Sequence, residues 1–228
     1  MDVLIILIGI ASIIISFGAQ AYIKSAYSKY SKVKTDGNLT GKDVARKILD
    51  KNGLSNVKVE EVRGYLSDHY DPKTKMVRLS SDNYNGANVA NVAVAAHECG
   101  HAIQDGENYS FLRVRASLVP VVNFSSYAGY AIILLGSFTG AFGLIWLGIL
   151  LIGMILVFQL VTLPVEFNAS DRALKQIKEM NLLTDKELDQ GREVLTAAAL
   201  TYVASVVTAI VQVLRLVLIY GVRNRDRR

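Results

Sequence analysis

The sequence of 228 residues contains one cysteine and three prolines. The single cysteine, Cys99, excludes an internal disulfide, a zinc finger built from cysteines and a CxxC redox pair. The scarcity of proline and the lack of any compositionally biased tract exclude collagen-like and disordered chains. Charged residues are also few, at 20% of the chain, and their distribution is more informative than their number.

The uneven distribution of charge indicates membrane segments. Residues 3–17, 117–163 and 196–221 are nearly free of charged side chains, whereas residues 24–116 have an ordinary mixed composition. A helix needs about 20 apolar residues to cross a hydrocarbon core of about 30 Å. The sequence therefore predicts a multispanning membrane protein in which residues 24–116 form a water-exposed domain. The net charge of +5 then indicates topology and attraction to anionic lipid, and no nucleic-acid partner is expected.

The first apolar run, within residues 1–23, is long enough to span a bilayer once. Its Ala19-Gln20-Ala21 segment is similar to the cleavage site of a signal peptide, which is the alternative interpretation. However, no lysine or arginine precedes the apolar run, and four lysines follow it within residues 24–34. This order of charges is typical of a retained membrane anchor.

Three further segments follow the water-exposed domain. Residues 117–164 are too long for one crossing, so we expect a transmembrane hairpin that turns at Gly136–Gly140 and ends at Pro164. Residues 165–194 are polar and have the period of a helix. Residues 195–228 contain a last transmembrane helix and a basic tail.

The water-exposed domain contains signals for both helices and strands. Thr40 begins a short amphipathic helix, and Asn88–Gln104 has the period of a longer one. Residues 57–62 and 76–80 alternate as strands do, and residues 68–72 between them are typical of a turn. The predicted fold class is therefore a mainly α membrane protein with about four transmembrane helices and a small α+β domain.

A metal-binding motif, His97-Glu98-Cys99-Gly100-His101, lies within the longer helix. Residues i and i+4 lie one turn apart on the same helix face, so both imidazoles can reach one zinc ion. Glu98 lies beside this face, where its carboxylate can take a proton from water at the metal. The alternative is a chance match between two surface histidines and an unrelated glutamate. Because two of the three histidines in the chain fall within the motif, we favour a zinc site.

A catalytic zinc site needs a third protein ligand and one open position. A site made only of histidines would use His69, the remaining histidine of the chain. Glu166 is the other candidate, because the transmembrane hairpin returns the chain to the side on which the His97 helix lies. We favour Glu166, which directly follows the hairpin.

These motifs make the chain similar to the YugP-type neutral zinc metallopeptidases of bacteria, which in turn resemble the HtpX and CAAX-prenyl endopeptidase group of membrane gluzincins. The resemblance depends on His97–Gln104, Asp68–Pro72 and Glu166–Ala169. It implies a zincin-like domain with Zn²⁺ as cofactor. It also implies that Glu166, the first residue of an E-x-x-x-D helix in this family, is the third ligand. Ser170 stands in place of that aspartate, so the adjacent Asp171 is the candidate for orienting a ligand histidine.

The resemblance also implies how a substrate is held. Residues 76–80 are expected to be the edge strand to which an extended peptide adds a further strand, and the alternative is an ordinary core strand. His69 and Arg172 are candidates for stabilising the oxyanion. The alternative interpretations are a turn residue for His69 and an interfacial cation for Arg172.

The sequence therefore predicts a multi-pass membrane zinc endopeptidase. His97, His101 and Glu166 are expected to hold zinc, and Glu98 is expected to act as the general base. The expected partners are the lipid bilayer and a polypeptide substrate, such as a membrane protein or a misfolded chain. The alternative is a metal-binding membrane protein without catalytic activity, acting as a sensor or a scaffold.

Basic residues predict on which side of the membrane the site lies. Nine of them flank the apolar segments on the side of the site, which favours the cytoplasm by the positive-inside rule. Four arginines near the C-terminus oppose this orientation if the last helix crosses fully. The nine residues are Lys24, Lys29, Lys32, Lys34, Arg113, Arg115, Arg172, Lys175 and Lys178.

Overall fold

The computed structural model of the protein describes residues 2–225. Within these residues the chain forms seven helices and three strands. The helices are α1 (Asp2–Tyr30), α2 (Gly41–Lys51), α3 (Ser81–Asn85), α4 (Val89–Gly106), α5 (Ser110–Thr139), α6 (Phe142–Glu179) and α7 (Asp185–Arg225). The strands are β1 (Lys58–Val62), β2 (His69–Asp71) and β3 (Met76–Ser80). This architecture confirms the predicted fold class, and residues 226–228 of the predicted basic tail lie outside the described part.

Four helices among the described residues, α1, α5, α6 and α7, are long and apolar enough to cross a membrane. Large apolar side chains on these helices are exposed, for example Phe17 at 72% and Phe138 at 83%. Such surfaces are unfavourable in water and suit a lipid environment. The structure therefore has the number of membrane helices that the sequence predicts, and it fits a multi-pass membrane protein.

The chain divides into two compact units. The apolar unit contains the chain up to Ala19, residues Val114–Leu163 and the chain from Thr201 onward. The water-exposed unit contains Gln20–Arg113 and Pro164–Leu200. Each of the four long helices thus contributes residues to both units.

The apolar unit contains the predicted hairpin, formed by α5 and α6. The chain reverses where the sequence predicts, because α5 ends at Thr139 and Gly140 adopts a positive φ of 73° that suits glycine. The two helices approach closely through glycines: a Cβ on Gly148 would lie 2.6 Å from the carbonyl oxygen of Gly129. Small residues at helix contacts are typical of packing in membranes, where lipid gives no hydrophobic driving force between helices.

Pro164 does not end the helix, because α6 continues well beyond it, although the apolar unit ends at Leu163. Proline costs a helix interior about 3 kcal/mol, since it lacks an N–H and its ring clashes with the preceding turn. The residues that follow compensate for this cost. Val165, Ala169, Ala173 and Ile177 recur every four residues and are each at most 1% exposed. Burial of this continuous stripe favours the helix through the proline.

The core of the water-exposed unit forms where α2 packs on α4. Thr40 begins α2 as its N-cap, as the sequence predicts, and the structure adds a capping box between Thr40 and Asp43. The apolar face of α2 is then fully buried, with Val44, Ile48 and Leu49 at 0% exposure. Burying three such side chains contributes roughly 1.5–3 kcal/mol each relative to exposure. This packing supports α4, the helix that carries the metal-binding motif.

The sheet has the strand order β1-β3-β2, with β3 parallel to β1 and antiparallel to β2. Residues 76–80 therefore form a strand, but the prediction that they form the edge strand is wrong. Val77 and Leu79 are fully buried, and β3 has a partner on both sides. Its backbone groups are used within the sheet and are not open to a peptide. The alternative interpretation of a core strand is the correct one.

The turn predicted at residues 68–72 begins later than expected, because β2 occupies its middle. The three residues of β2 pair with residues 76–78 of β3. Asp71 then holds the turn through hydrogen bonds that its carboxylate accepts from the Lys73 N–H and the Thr74 hydroxyl. Asp71 is thus the residue where the strand ends and the turn starts, and pairing with β3 draws the residues before it into the sheet.

Candidate metal centre

Three side chains from α4 and α6 converge on one point. His97 and His101 lie one turn apart on α4, and their ring centroids are 4.8 Å apart. The Glu166 Oε2 atom on α6 lies 3.3 Å from the His97 Nε2 atom and 3.5 Å from the His101 Nε2 atom. Two ligand atoms bound tetrahedrally at about 2.0–2.1 Å from one zinc ion lie about 3.3–3.4 Å apart. The group therefore has the spacing that a zinc ion requires, and it forms a possible metal-binding site.

A glycine allows the two helices to approach closely enough for this group to form. A Cβ on Gly100 would lie 2.4 Å from the carbonyl oxygen of Ala169 on α6, which is far inside van der Waals contact. Any larger residue at this position would push α6 away from α4. Because Glu166 lies three residues before Ala169, such a shift would separate its carboxylate from the two histidines.

Glu98 is buried beside the metal group, with 8% of its surface exposed. The pKa of its carboxyl group is raised to about 7, mainly by burial. The Glu166 and Asp68 carboxylates raise this pKa further, whereas the charge of His97 lowers it. The carboxylate also accepts a hydrogen bond from the backbone N–H of Tyr70 in β2, which lowers the pKa. A dication bound at the neighbouring group would favour the ionised form of Glu98.

Each histidine contacts a neutral side chain through its Nδ1 atom, on the side of the ring away from Glu166. The Ser170 hydroxyl oxygen lies 3.2 Å from the Nδ1 atom of His97. The Gln104 Oε1 atom lies 3.0 Å from the Nδ1 atom of His101. Such partners fix the orientation of a metal ligand and determine which ring nitrogen carries the proton.

The sequence analysis missed both of these partners. Asp171, which it proposed for orienting a histidine, is exposed to solvent, and Ser170 contacts His97 instead. The signal was present in the spacing, because Gln104 follows His101 by three residues and Ser170 follows Glu166 by four. Residues at these spacings share a helix face with the ligand that precedes them.

The two candidates for oxyanion stabilisation are engaged with other groups. His69 is exposed at the start of β2, and its Nδ1 atom lies 2.8 Å from the carbonyl oxygen of Ser67. The Arg172 Nε atom donates to Asn168 Oδ1 at 2.7 Å, and its Nη1 atom pairs with the Glu107 carboxylate at 2.8 Å. Among the described residues, the metal-binding group is completed by Glu166 and does not include His69.

Comparison with known proteins assigns the chain to a family. The profile of the family described as "Putative neutral zinc metallopeptidase" matches residues 4–221, so the chain belongs to this family. It is 46% identical over 223 residues to the protein named "Putative membrane protease YugP" of Bacillus subtilis (strain 168), covering 98% of this chain and 99% of that protein. No solved structure matches the chain significantly. Membership confirms the resemblance found in the motifs, and it identifies zinc as the metal that suits the His97, His101 and Glu166 group.

Replacing the third ligand should remove the metal. We expect Glu166→Ala to reduce zinc from about one ion per chain to roughly a tenth or less, because two imidazoles alone leave half of a tetrahedral site to water. Zinc is measured by mass spectrometry on the detergent-purified protein. Glu179→Ala is the matched control, since it removes an exposed glutamate from the same helix, and it should retain zinc. Zinc retained by Glu166→Ala but lost from His69→Ala would make His69 the third ligand.

Proposed function

We propose that the protein is a membrane-bound zinc endopeptidase in which Glu98 acts as the general base. The observation that carries this proposal is the position of Glu98, whose buried carboxyl group lies beside the metal group with a pKa raised to about 7. A structural zinc site needs no such acid and fills its fourth position with another protein ligand. In the alternative function, a sensor or a scaffold, Glu98 would have no role.

In the proposed reaction His97, His101 and Glu166 would hold zinc as its three protein ligands. A zinc ion held there would polarise the scissile carbonyl and lower the pKa of water toward about 7. Glu98 takes the proton of the attacking water and then passes it to the nitrogen of the leaving amine. Glu98 suits both transfers, because a carboxylate beside a dication is ionised and can take the proton, and the leaving amine is the stronger base that receives it.

We propose that the polypeptide substrate lies along β2, the edge strand beside Glu98. Among the described strands β2 pairs with β3 alone, and the Tyr70 N–H donates to Glu98. An extended peptide can add to such an edge through main-chain hydrogen bonds. The side chain of Tyr70 holds the strand on α4, because its hydroxyl donates to the Asp105 carboxylate at 2.6 Å.

We also propose that the metal centre lies on the cytoplasmic side of a cell membrane. Nine lysines and arginines flank the apolar segments on the side of the site. Cytoplasmic segments next to membrane helices carry an excess of these residues. The terminal arginines oppose this orientation but are fewer, so the balance of basic residues favours the cytoplasm.

Removal of the general base should separate metal binding from catalysis. We expect Glu98→Gln to keep about one zinc per chain and to lose about 10²- to 10⁴-fold in kcat, because the amide cannot accept the proton. Zinc content and cleavage of fluorogenic casein are measured on the same preparation. Glu60→Gln, which neutralises an exposed glutamate of β1, is the control and should cleave like the wild type. Near wild-type cleavage by Glu98→Gln would contradict the proposed role, and a zinc-loaded wild type without activity would favour the sensor or scaffold.

Loosening the edge strand should weaken substrate binding more than chemistry. We expect Tyr70→Phe to raise KM about tenfold with a smaller change in kcat. The hydrogen bond to the charged Asp105 contributes roughly 1.5–3 kcal/mol, and without it β2 is held less firmly for the substrate. Steady-state kinetics with casein are compared with those of Tyr65→Phe, which alters an exposed tyrosine and should be neutral. A fall in kcat at unchanged KM would contradict substrate binding along β2.

The side of the membrane can be tested with one introduced thiol. The native Cys99 is fully buried, and burial raises the pKa of its thiol well above the usual range, so the wild type should react little with maleimides. In Glu61→Cys, an exposed position of β1 carries the reactive group. We expect an impermeant maleimide to label this variant only after the cells are lysed. Labelling of intact cells would place the site outside.

A further inference from the structure

Gln104 occupies a fully buried position next to a zinc ligand. It lies on α4, three residues after His101, and is 0% exposed. Its Oε1 atom lies 3.0 Å from the His101 Nδ1 atom. Its Nε2 atom donates to the Val165 carbonyl oxygen at 2.8 Å and to Asn168 Oδ1 at 2.9 Å. The amide group therefore has partners for both of its hydrogens and for its oxygen.

The partners of Gln104 permit only one orientation of its amide. The carbonyl oxygen of Val165 is an acceptor and has no hydrogen, so the NH₂ group of Gln104 must face it. The Gln104 oxygen then faces His101, and an oxygen without a hydrogen can only accept. The proton of the neutral imidazole is therefore on Nδ1, and the Nε2 atom carries the lone pair toward Glu166.

Arg172 fixes the orientation of the Asn168 amide, which accepts a hydrogen bond from Gln104. The Arg172 guanidinium, which can only donate, gives its Nε hydrogen to Asn168 Oδ1 at 2.7 Å and is itself held by Glu107. Asn168 thus turns its oxygen, and not its NH₂ group, toward both Arg172 and Gln104. The Asn168 oxygen thus accepts from Arg172 on one side and from Gln104 on the other, and the Gln104 oxygen accepts in turn from His101.

We propose that Gln104 is a positioning residue of the metal centre. Its side-chain oxygen holds the proton of His101 at Nδ1 and thereby presents the Nε2 lone pair to zinc. This inference rests on the proposed function, because it assigns zinc to the same group. Groups that bind the far nitrogen of a ligand histidine typically contribute 10- to 100-fold in metal affinity. Ser170, whose hydroxyl can donate or accept, does not impose a single tautomer on His97 in this way.

The test is the zinc affinity of the full-length protein in detergent, measured by competition with a chromophoric chelator. We expect Gln104→Met, which has a similar length but no polar atoms for these bonds, to bind zinc 10- to 100-fold more weakly. Gln104→Glu should stay within about threefold of the wild type, because a buried, protonated carboxyl group still accepts the Nδ1 proton through one oxygen and donates to the Val165 carbonyl oxygen through the other. Gln176→Met is the matched control, since Gln176 is a buried glutamine on α6 that contacts Asn52, and it should leave the affinity unchanged.

A second measurement distinguishes positioning from a merely structural role. The absorption bands of protein saturated with Co²⁺ should change in Gln104→Met and should match the wild type in Gln104→Glu and Gln176→Met. Wild-type affinity in Gln104→Met would overturn the inference. Equal loss in Gln104→Met and Gln104→Glu would also overturn it, because the two amide hydrogens would then matter and not the oxygen.

Different results would contradict the role of Gln104 and the proposed peptidase function. If Gln104→Met does not fold, as judged from the melting temperature of the metal-free protein, Gln104→Leu takes its place, because it also lacks the acceptor oxygen and carries the same expected loss of zinc affinity. A wild type that binds zinc but does not cleave casein would contradict the proposed function and leave the role of Gln104 to be decided by affinity. Near wild-type affinity in Gln104→Met, with an active wild type, would contradict only the inference.

Discussion

The close contact between the backbones of α4 and α6 determines whether the metal group can form, because its members are divided between these helices. Helix geometry alone places His97 and His101 one turn apart, but the carboxylate of Glu166 reaches them only if α6 lies directly against α4. Gly100 permits this approach, since even a methyl group there would overlap with the carbonyl oxygen of Ala169. A glycine costs a helix about 1 kcal/mol relative to alanine, and the contact that it allows offsets this local loss.

The sequence predicts those parts of the site that depend on spacing along one helix or on the reversal of a hairpin. The HExxH pattern and the return of the chain after residues 117–164 lead to Glu166 without any knowledge of packing. Gln104 and Ser170 were missed although their spacing places them on the same faces as His101 and Glu166, because the contact of Ser170 with His97 and the orientation of the Gln104 amide depend on how α4 and α6 meet. The order of the strands is equally inaccessible, since residues 76–80 alternate in the same way in a central strand and at an edge. Pro164 shows the same limit: burial of a stripe beyond it outweighs its local preference.

The neutral partners of the histidines suit the charge that the site already contains. One dication, two neutral imidazoles and the Glu166 carboxylate together carry about one positive charge, which an ionised Glu98 balances. Ser170 and Gln104 add no charge to this group. A carboxylate in place of either would leave a buried site with an excess of negative charge, and uncompensated buried charge is costly. Burial and the neighbouring acids already raise the pKa of Glu98 to about 7, so a further acid would make its ionisation still harder.

The chain of hydrogen bonds between Arg172 and His101 connects a surface ion pair to the protonation of a ligand. The sequence indicated that Arg172 belongs to the site, but the structure places its guanidinium against Asn168 and Glu107. Arg172 fixes the orientation of Asn168. Because a guanidinium group can only donate, the amide oxygen of Asn168 must face it. Reversing the amide of Asn168 would set its NH₂ group against both the guanidinium and the NH₂ group of Gln104. Since neither amide can turn without such a conflict, Arg172 supports the same tautomer of His101 that the Val165 carbonyl oxygen already requires.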